Sequence, residues 1–202
     1  MTYTTNAELQ PRGNGIVETV KEPVYAGTHS IKLRIPEDYT MGDAARISVP
    51  IENITLNDVT TISYCCFIDE STPLNQDGTY WVPYITFEID TDGKPGCDTW
   101  VIGGKGSVIQ EPGAWFEVSL EKEWLFHVPT TVADYASPFS ISNMGTLEQV
   151  RSAIGPDGKT SLGDLPVTAI RLAIGNWGPG GPIGPVICYV DQLEYNENIL
   201  LK

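Results

Sequence analysis

Tyr80, Tyr84 and Glu88 recur every four residues through the segment TYWVPYITFEI (79–89), so a β-strand there sets two phenol rings and a carboxylate on one face. Val82 and Thr86 share that face, while Trp81, Pro83, Ile85, Phe87 and Ile89 fall on the other and suit a core. A flat aromatic ring stacks on the C–H face of a pyranose, and polar groups beside it reach the sugar hydroxyls. On one strand Tyr80 and Tyr84 stand roughly 13 Å apart, which suits neighbouring subsites of an extended glycan. Trp100, on the hairpin that should follow, and Trp177, in a loop rich in Gly and Pro, complete the candidate platform as its walls. The competing assignment packs the tyrosines beneath residues 121–165 and uses Trp177 to plug one end of the fold.

Other constellations carry less. The run Phe87-Glu88-Ile89-Asp90-Thr91-Asp92 resembles the Glu-x-Asp-x-Glu motif of laminarinase-like retaining glycosidases, whose chemistry needs two carboxyl groups about 5 to 5.5 Å apart. Glu88 and Asp90 would lie roughly 6.6 Å apart on one strand face, so a glycosidase using Glu88, Asp90 and Asp92 stays an alternative. Against it, the third acid is Asp92 rather than Glu, Gly93 turns the chain there, and the aromatic lead-in of that family is missing. A polysaccharide lyase of jelly-roll type needs a basic cleft of Arg, His and Tyr to neutralise and deprotonate a uronate, and only Tyr is plentiful. His29 and His127 are isolated and no Cys-x-x-Cys pair occurs, so a zinc site is not expected. Asp90-Thr91-Asp92-Gly93 lacks the third ligand and the distal Glu of a calcium loop and reads as a hairpin turn. There is no Gly-x-Ser-x-Gly elbow, and Gly103-Gly104-Lys105-Gly106 lacks the spacing of a phosphate loop.

With 202 residues and a formal net charge of -14, the chain is long enough for one sizeable core and repels polyphosphates and anionic lipids on average. Nucleic acid and membrane insertion are therefore not expected. No apolar run approaches the 18 or so residues that span a bilayer, and the opening MTYTTNAELQ lacks the basic and apolar regions of a signal peptide. Either the protein is intracellular or this is a mature segment whose export signal has been removed. Consecutive strand residues point opposite ways, so Cys65 and Cys66 should not bridge each other. Cys66 shares a face with Ile62 and Tyr64 and is either a buried thiol or a partner for Cys188.

Short alternating runs punctuated by turn residues define the elements that must hold these groups. Residues 1–14 are polar and end in the turn-like Arg12-Gly13-Asn14-Gly15, so they read as an N-terminal arm before a single domain, 15–202. Strands are expected at 16–20, 30–35, 45–51, 60–68, 79–89, 99–102, 114–120, 167–174 and 186–195, with a short edge at 108–109. Between 121 and 165 the β pattern lapses, apart from a short helix at 146–154, capped by Gly145 or Thr146, with apolar residues at 147, 150 and 154. Without βαβ repeats, this pattern predicts an all-β fold of two antiparallel sheets packed face to face.

Three signatures, Gly27-Thr28-His29-Ser30-Ile31-Lys32-Leu33, Pro112-Gly113-Ala114-Trp115-Phe116-Glu117-Val118 and Cys188-Tyr189-Val190-Asp191-Gln192-Leu193-Glu194-Tyr195, together resemble the jelly-roll β-sandwiches of the galactose-binding-like class and the carbohydrate-binding modules built on it. The resemblance covers most of the chain except 121–165. It implies a non-catalytic, extracellular or cell-surface module for a polysaccharide or other glycan. It also implies a structural calcium ion, held at the matching positions Glu18 and Asp191 with backbone carbonyls completing its oxygen shell. The Asn53-Ile54-Thr55 glycosylation sequon suits an exported protein. The alternative role is structural: the arm, or the tail 196–202, would add a strand to a neighbouring copy and build a homo-oligomeric surface or filamentous assembly.

Overall fold

The computed structural model describes residues 7–38, 40, 42–75, 77–94, 96–104, 107–129, 132, 135–175 and 185–201. In chain order its first strands are β1 (Glu8–Arg12), β2 (Ile16–Val20), β3 (Ser30–Ile35), β4 (Ala44–Pro50), β5 (Ile62–Ile68), β6 (Tyr80–Trp81), β7 (Tyr84–Ile89) and β8 (Thr99–Gly103). Then follow β9 (Ser107–Val108), β10 (Trp115–Ser119), β11 (Leu125–His127), β12 (Gly145–Thr146), helix α1 (Leu147–Ser152), β13 (Val167–Gly175), β14 (Val186–Tyr195) and β15 (Asn198–Ile199).

One sheet has seven strands in the order β1-β4-β13-β7-β8-β11-β12; the other runs β10-β5-β14-β3-β2, with β15 added to β14. Every pairing is antiparallel, and the sheets stack as the jelly-roll sandwich that the sequence predicts. The period of two explains the packing. Leu33 and Ile35 of β3, Tyr64 and Ile68 of β5, Ile47 of β4, and Ile85, Phe87 and Ile89 of β7 all point between the sheets and are fully buried. Phe87 meets Phe126 of β11 with ring centroids 6.3 Å apart. Each such side chain contributes about 1.5–3 kcal/mol by leaving water. At Gly103 the backbone of β11 comes so close that a Cβ would lie 2.3 Å from the Leu125 carbonyl oxygen, so only glycine fits there.

Helix α1 follows the predicted cap. Thr146 Oγ1 accepts from the Gln149 N–H at 3.3 Å, and the Thr146 N–H donates to Gln149 Oε1 at 2.8 Å, a reciprocal capping box. Leu147 and Val150 are buried as expected, but the helix stops at Ser152, so Ile154 lies outside it and is half exposed.

Three expectations change. The first strand is Glu8–Arg12, not Ile16–Val20: most of the polar arm is already hydrogen-bonded to β4, from Glu8↔Ser48 to Arg12↔Ala44. That part of the arm is not a free donor strand for a neighbouring copy. The run 79–89 is two strands, because Pro83 has no N–H to offer a ladder and both Val82 and Pro83 are buried between them. The Pro83 carbonyl instead accepts the buried Tyr64 hydroxyl at 2.5 Å. Finally, the stretch 121–165 does contribute to the sheet, through β11 and β12.

Candidate functional site

Inward-facing residues fix the parity of each strand, so the outer face of the seven-stranded sheet follows from register alone. On β7 the outward residues are Tyr84, Thr86 and Glu88, and on β8 they are Trp100 and Ile102, with Glu88 directly across from Trp100. On β13 they are Ala169, Arg171 and Ala173; Arg171 lies beside Thr86 and Ala173 beside Tyr84. Strand β4 adds Ser48 opposite Arg171 and Arg46 opposite Ala173, and β1 adds Gln10 opposite Arg46. Small residues at Gly42, Ala44 and Gly175 lie among long ones, and that difference in height leaves a concavity of about 240 Å³. Its walls include Arg12, Arg46, Tyr84, Trp100, Arg171 and Pro129.

The electrostatics of this groove are set by guanidinium groups. Arg171 forms an ion pair with Glu88, and both side chains are largely buried, at 13% and 12% exposure. Burial pushes the Arg46 guanidinium below its ordinary pKa; Arg171 and Arg12 push it the same way, while Tyr84 and Glu88 oppose them. Asp43 closes one end of the groove. The N–H groups of Thr40 (2.7 Å) and Asn14 (2.9 Å) hold its carboxyl below the ordinary value, and the Asn14 amide at 3.3 Å adds to them. The indole Nε1 of Trp100 and the Nε of Arg171 are hidden from bulk water and have no hydrogen-bond partner among the described residues. Unpaired buried donors of this kind cost about 1–3 kcal/mol each. His127 of β11 continues the same face opposite Ile102, and burial lowers its pKa.

The structure brings Tyr84, Glu88 and Trp100 together and leaves Tyr80 apart. Tyr80 belongs to the separate β6–β9 ribbon and packs against the edge of the core. Trp177 lies outside the described residues. Glu18 and Asp191 do not fit one calcium ion. Register places them two strands apart and offset by two residues, roughly 12 Å by strand spacing and rise. Glu18 instead pairs with Lys32 at 3.2 Å. The buried Asp191 carboxylate accepts the N–H groups of Tyr25 (3.1 Å), Ala26 (2.9 Å) and Gln192 (2.8 Å), so hydrogen donors surround it rather than the oxygens a calcium ion requires.

The acids after Glu88 serve the turn. Asp90 accepts from the N–H groups of Asp92 (3.0 Å) and Gly93 (2.8 Å), Asp98 accepts from the N–H of Thr91 (2.7 Å), and Asp92 pairs with Lys94 (2.5 Å). Carboxylate oxygens of Asp90, Asp92 and Asp98 come within 4.8 Å of one another, so Asp98 is the third acid that the spacing of the DTDG segment did not reveal. Glu88 is engaged by Arg171 and Asp90 by its own turn.

What sequence reading missed is the basic cleft. Arg12, Arg46 and Arg171 lie far apart in the chain and meet only through the order β1-β4-β13. The outer face of the other sheet holds a second missed feature, a row of rings. Trp115 lies across from Phe67 and Phe67 across from Tyr189, with centroids 5.7 Å apart in each pair and Tyr25 at 5.8 Å from Trp115. Cross-strand parity was legible for each of these strands, but not which strands are neighbours.

No protein-family model matches the chain, and no curated protein sequence matches it. Among solved structures, the fold is similar to the family 11 carbohydrate-binding module of the cellulosomal cellulase Lic26A-Cel5E of Clostridium thermocellum. Identity is 10% and the TM-score 0.51, over 95% of this chain and 88% of that one. A family 11 module from Clostridium thermocellum in complex with a β-1,3-1,4-mixed-linked tetrasaccharide is 10% identical with a TM-score of 0.51, over 98% and 92% of the two chains. The CBM22-2 xylan-binding domain of Paenibacillus barcinonensis Xyn10C is 13% identical with a TM-score of 0.49, over 93% and 89%. The family 11 modules share with this chain the two-sheet sandwich.

Proposed function

We propose that the chain is a non-catalytic carbohydrate-binding module whose glycan lies in the groove on the outer face of the seven-stranded sheet. The observation that carries this is the juxtaposition of Tyr84 and Trp100 with the side chains of Arg12, Arg46 and Arg171 around one concavity above a floor of small residues. Rings supply stacking on sugar C–H faces, the guanidinium groups that line the groove meet hydroxyl or other sugar oxygens, and the low floor lets a chain lie along the sheet. The family 11 modules of the same fold support the assignment, since one of them is described in complex with a tetrasaccharide. As a glycan-binding module the protein acts outside the cytoplasm, where polymeric glycans are met.

The test is a glycan screen that reads three signals: retention, release of reducing ends, and the ultraviolet absorbance of an unsaturated uronate. Retention without either product is expected. Tyr84→Ala should lower retention roughly tenfold, the equivalent of about 1.4 kcal/mol for one aromatic contact. Its unfolding temperature should stay near that of the parent, because Tyr84 faces the groove and not the core. A large loss of stability would make Tyr84 a packing residue. Steady release of either product would make the groove catalytic.

A further inference from the structure

The chain carries a formal net charge of -14, yet three of its five arginines (Arg12, Arg46 and Arg171, but not Arg34 or Arg151) line one concavity. Among the described residues, the carboxylates on this face nearest to them are Glu88, Asp43 and, on the edge strand, Glu8, which accepts from the Gln10 amide. Glu88 is paired with Arg171, and the Asp43 oxygens accept from Thr40 and Asn14. Among the described residues no ion pair holds Arg12 or Arg46. The three guanidiniums are close enough that Arg171 and Arg12 both oppose the charge on Arg46. Gathering like charges in a half-buried groove is unfavourable unless an anion completes the set. A neutral sugar offers hydroxyls, which satisfy the donors and leave this repulsion in place.

We propose that the groove selects glycans bearing an anionic group, a uronate carboxylate or a sulfate ester, over neutral glycans; this rests on the carbohydrate-binding function assigned above. A guanidinium presents two parallel N–H donors that match a carboxylate or sulfate edge, and Arg46 and Arg12 both have that fork available at the groove wall. Tyr84 and Trp100 stack on the ring that carries the charge. The negative surface elsewhere does not cancel this attraction, because at physiological salt charges more than about 8 Å away are largely screened. Selection is therefore local: the groove attracts an anion that reaches it, while the rest of the surface discourages loose adsorption of polyanions.

The experiment is affinity gel retardation of the full chain in polygalacturonate, the same polymer with its carboxyls reduced to alcohols, a sulfated galactan, mixed-linkage β-glucan and xylan. Retention in polygalacturonate that disappears on carboxyl reduction supports the proposal with carboxylate as the recognised group. Retention in the sulfated polymer alone supports it with sulfate in that place. In either case Arg46→Gln, and separately the exposed Arg12→Gln, should weaken retention roughly tenfold or more, the scale of a charge-assisted hydrogen bond. Equal retention in β-glucan or xylan, unmoved by the two substitutions, overturns the selectivity and leaves glycan binding intact. Retention in none of the five overturns both. Arg12 lies on an edge strand with its side chain in solvent, so its variant keeps the fold even if Arg46→Gln does not.

Discussion

On the outer face of the seven-stranded sheet, three arginines meet Tyr84 and Trp100 around one concavity, whereas on the opposite outer face Trp115, Phe67, Tyr189 and Tyr25 pack their rings against one another. The second face is the richer in aromatic area. Its rings, however, are tilted at 57° or set edge-on at 80°, so they present no common plane to a sugar. The first face has fewer rings, but Gly42, Ala44 and Gly175 hold its floor low and Arg12, Arg46 and Arg171 line the gap. Aromatic content alone therefore does not mark a glycan surface. Rings and guanidinium groups gathered around a low floor mark it better.

The largest effect that would test this contrast is on the ion pair. Glu88→Ala strands the Arg171 guanidinium in a largely buried position and should reduce unfolding free energy by about 3 kcal/mol in urea titrations. Adding Arg171→Met to that variant should recover most of the loss, since an apolar side chain of similar length leaves no charge behind. A loss below about 1 kcal/mol would show that Arg171 reaches water and that the groove is more open than its side-chain packing indicates. On the other face Phe67→Ala should cost less, about 1–2 kcal/mol, because it removes contacts to Trp115 and Tyr189 from a half-buried ring. Glycan retention should be unchanged. A clear fall in retention in the Phe67 variant would move the binding surface to the aromatic row.

The same contrast shows how far the sequence reaches. Side-chain parity is a local property, so Ile31, Leu33 and Ile35 inward with Lys32 and Arg34 outward could be read from β3 alone, and Tyr84 and Glu88 could be put on one face, whereas the place of Trp100 across from Glu88 comes from the register of β7 with β8. Tyr80 was lost because parity does not carry across Pro83, where the ladder breaks. Strand β1, ELQPR, has no apolar alternation to announce it and forms because β4 has an edge to be paired. The arginine cleft needs the strand order β1-β4-β13-β7, which depends on long-range pairing and leaves no periodic trace. Likewise, β11 was hidden by its length of three residues, although its Phe126 fills the core.

The smallest effect concerns the groove end. Asp43 is nearly inaccessible and is held below its ordinary value of 3.8 by the N–H groups of Thr40 and Asn14. A carboxyl lowered on folding stabilises the native state above the ordinary carboxylate range, and that stabilisation is lost as pH falls through the lower, folded value. Unfolding free energy should therefore decline between about pH 5 and pH 2 in the parent chain, and the decline should be shallower in Asp43→Asn. The slope should not vanish, because Asp157, pushed down to about 2 by the Thr160 hydroxyl and the N–H groups of Lys159 and Thr160, contributes over the same interval. The Asn variant also turns one acceptor into a donor that faces Thr40 and Asn14, so the segment that ties β1 to β4 at the groove mouth should loosen. Hydrogen exchange at the Asn14 and Thr40 amides reads that loosening directly. Faster exchange there, with the core strand β7 unchanged, would show that the groove end opens independently of the sandwich. Uniform acceleration would instead make the Asp43 cap a support of the whole fold and remove the distinction between the groove's rim and its floor.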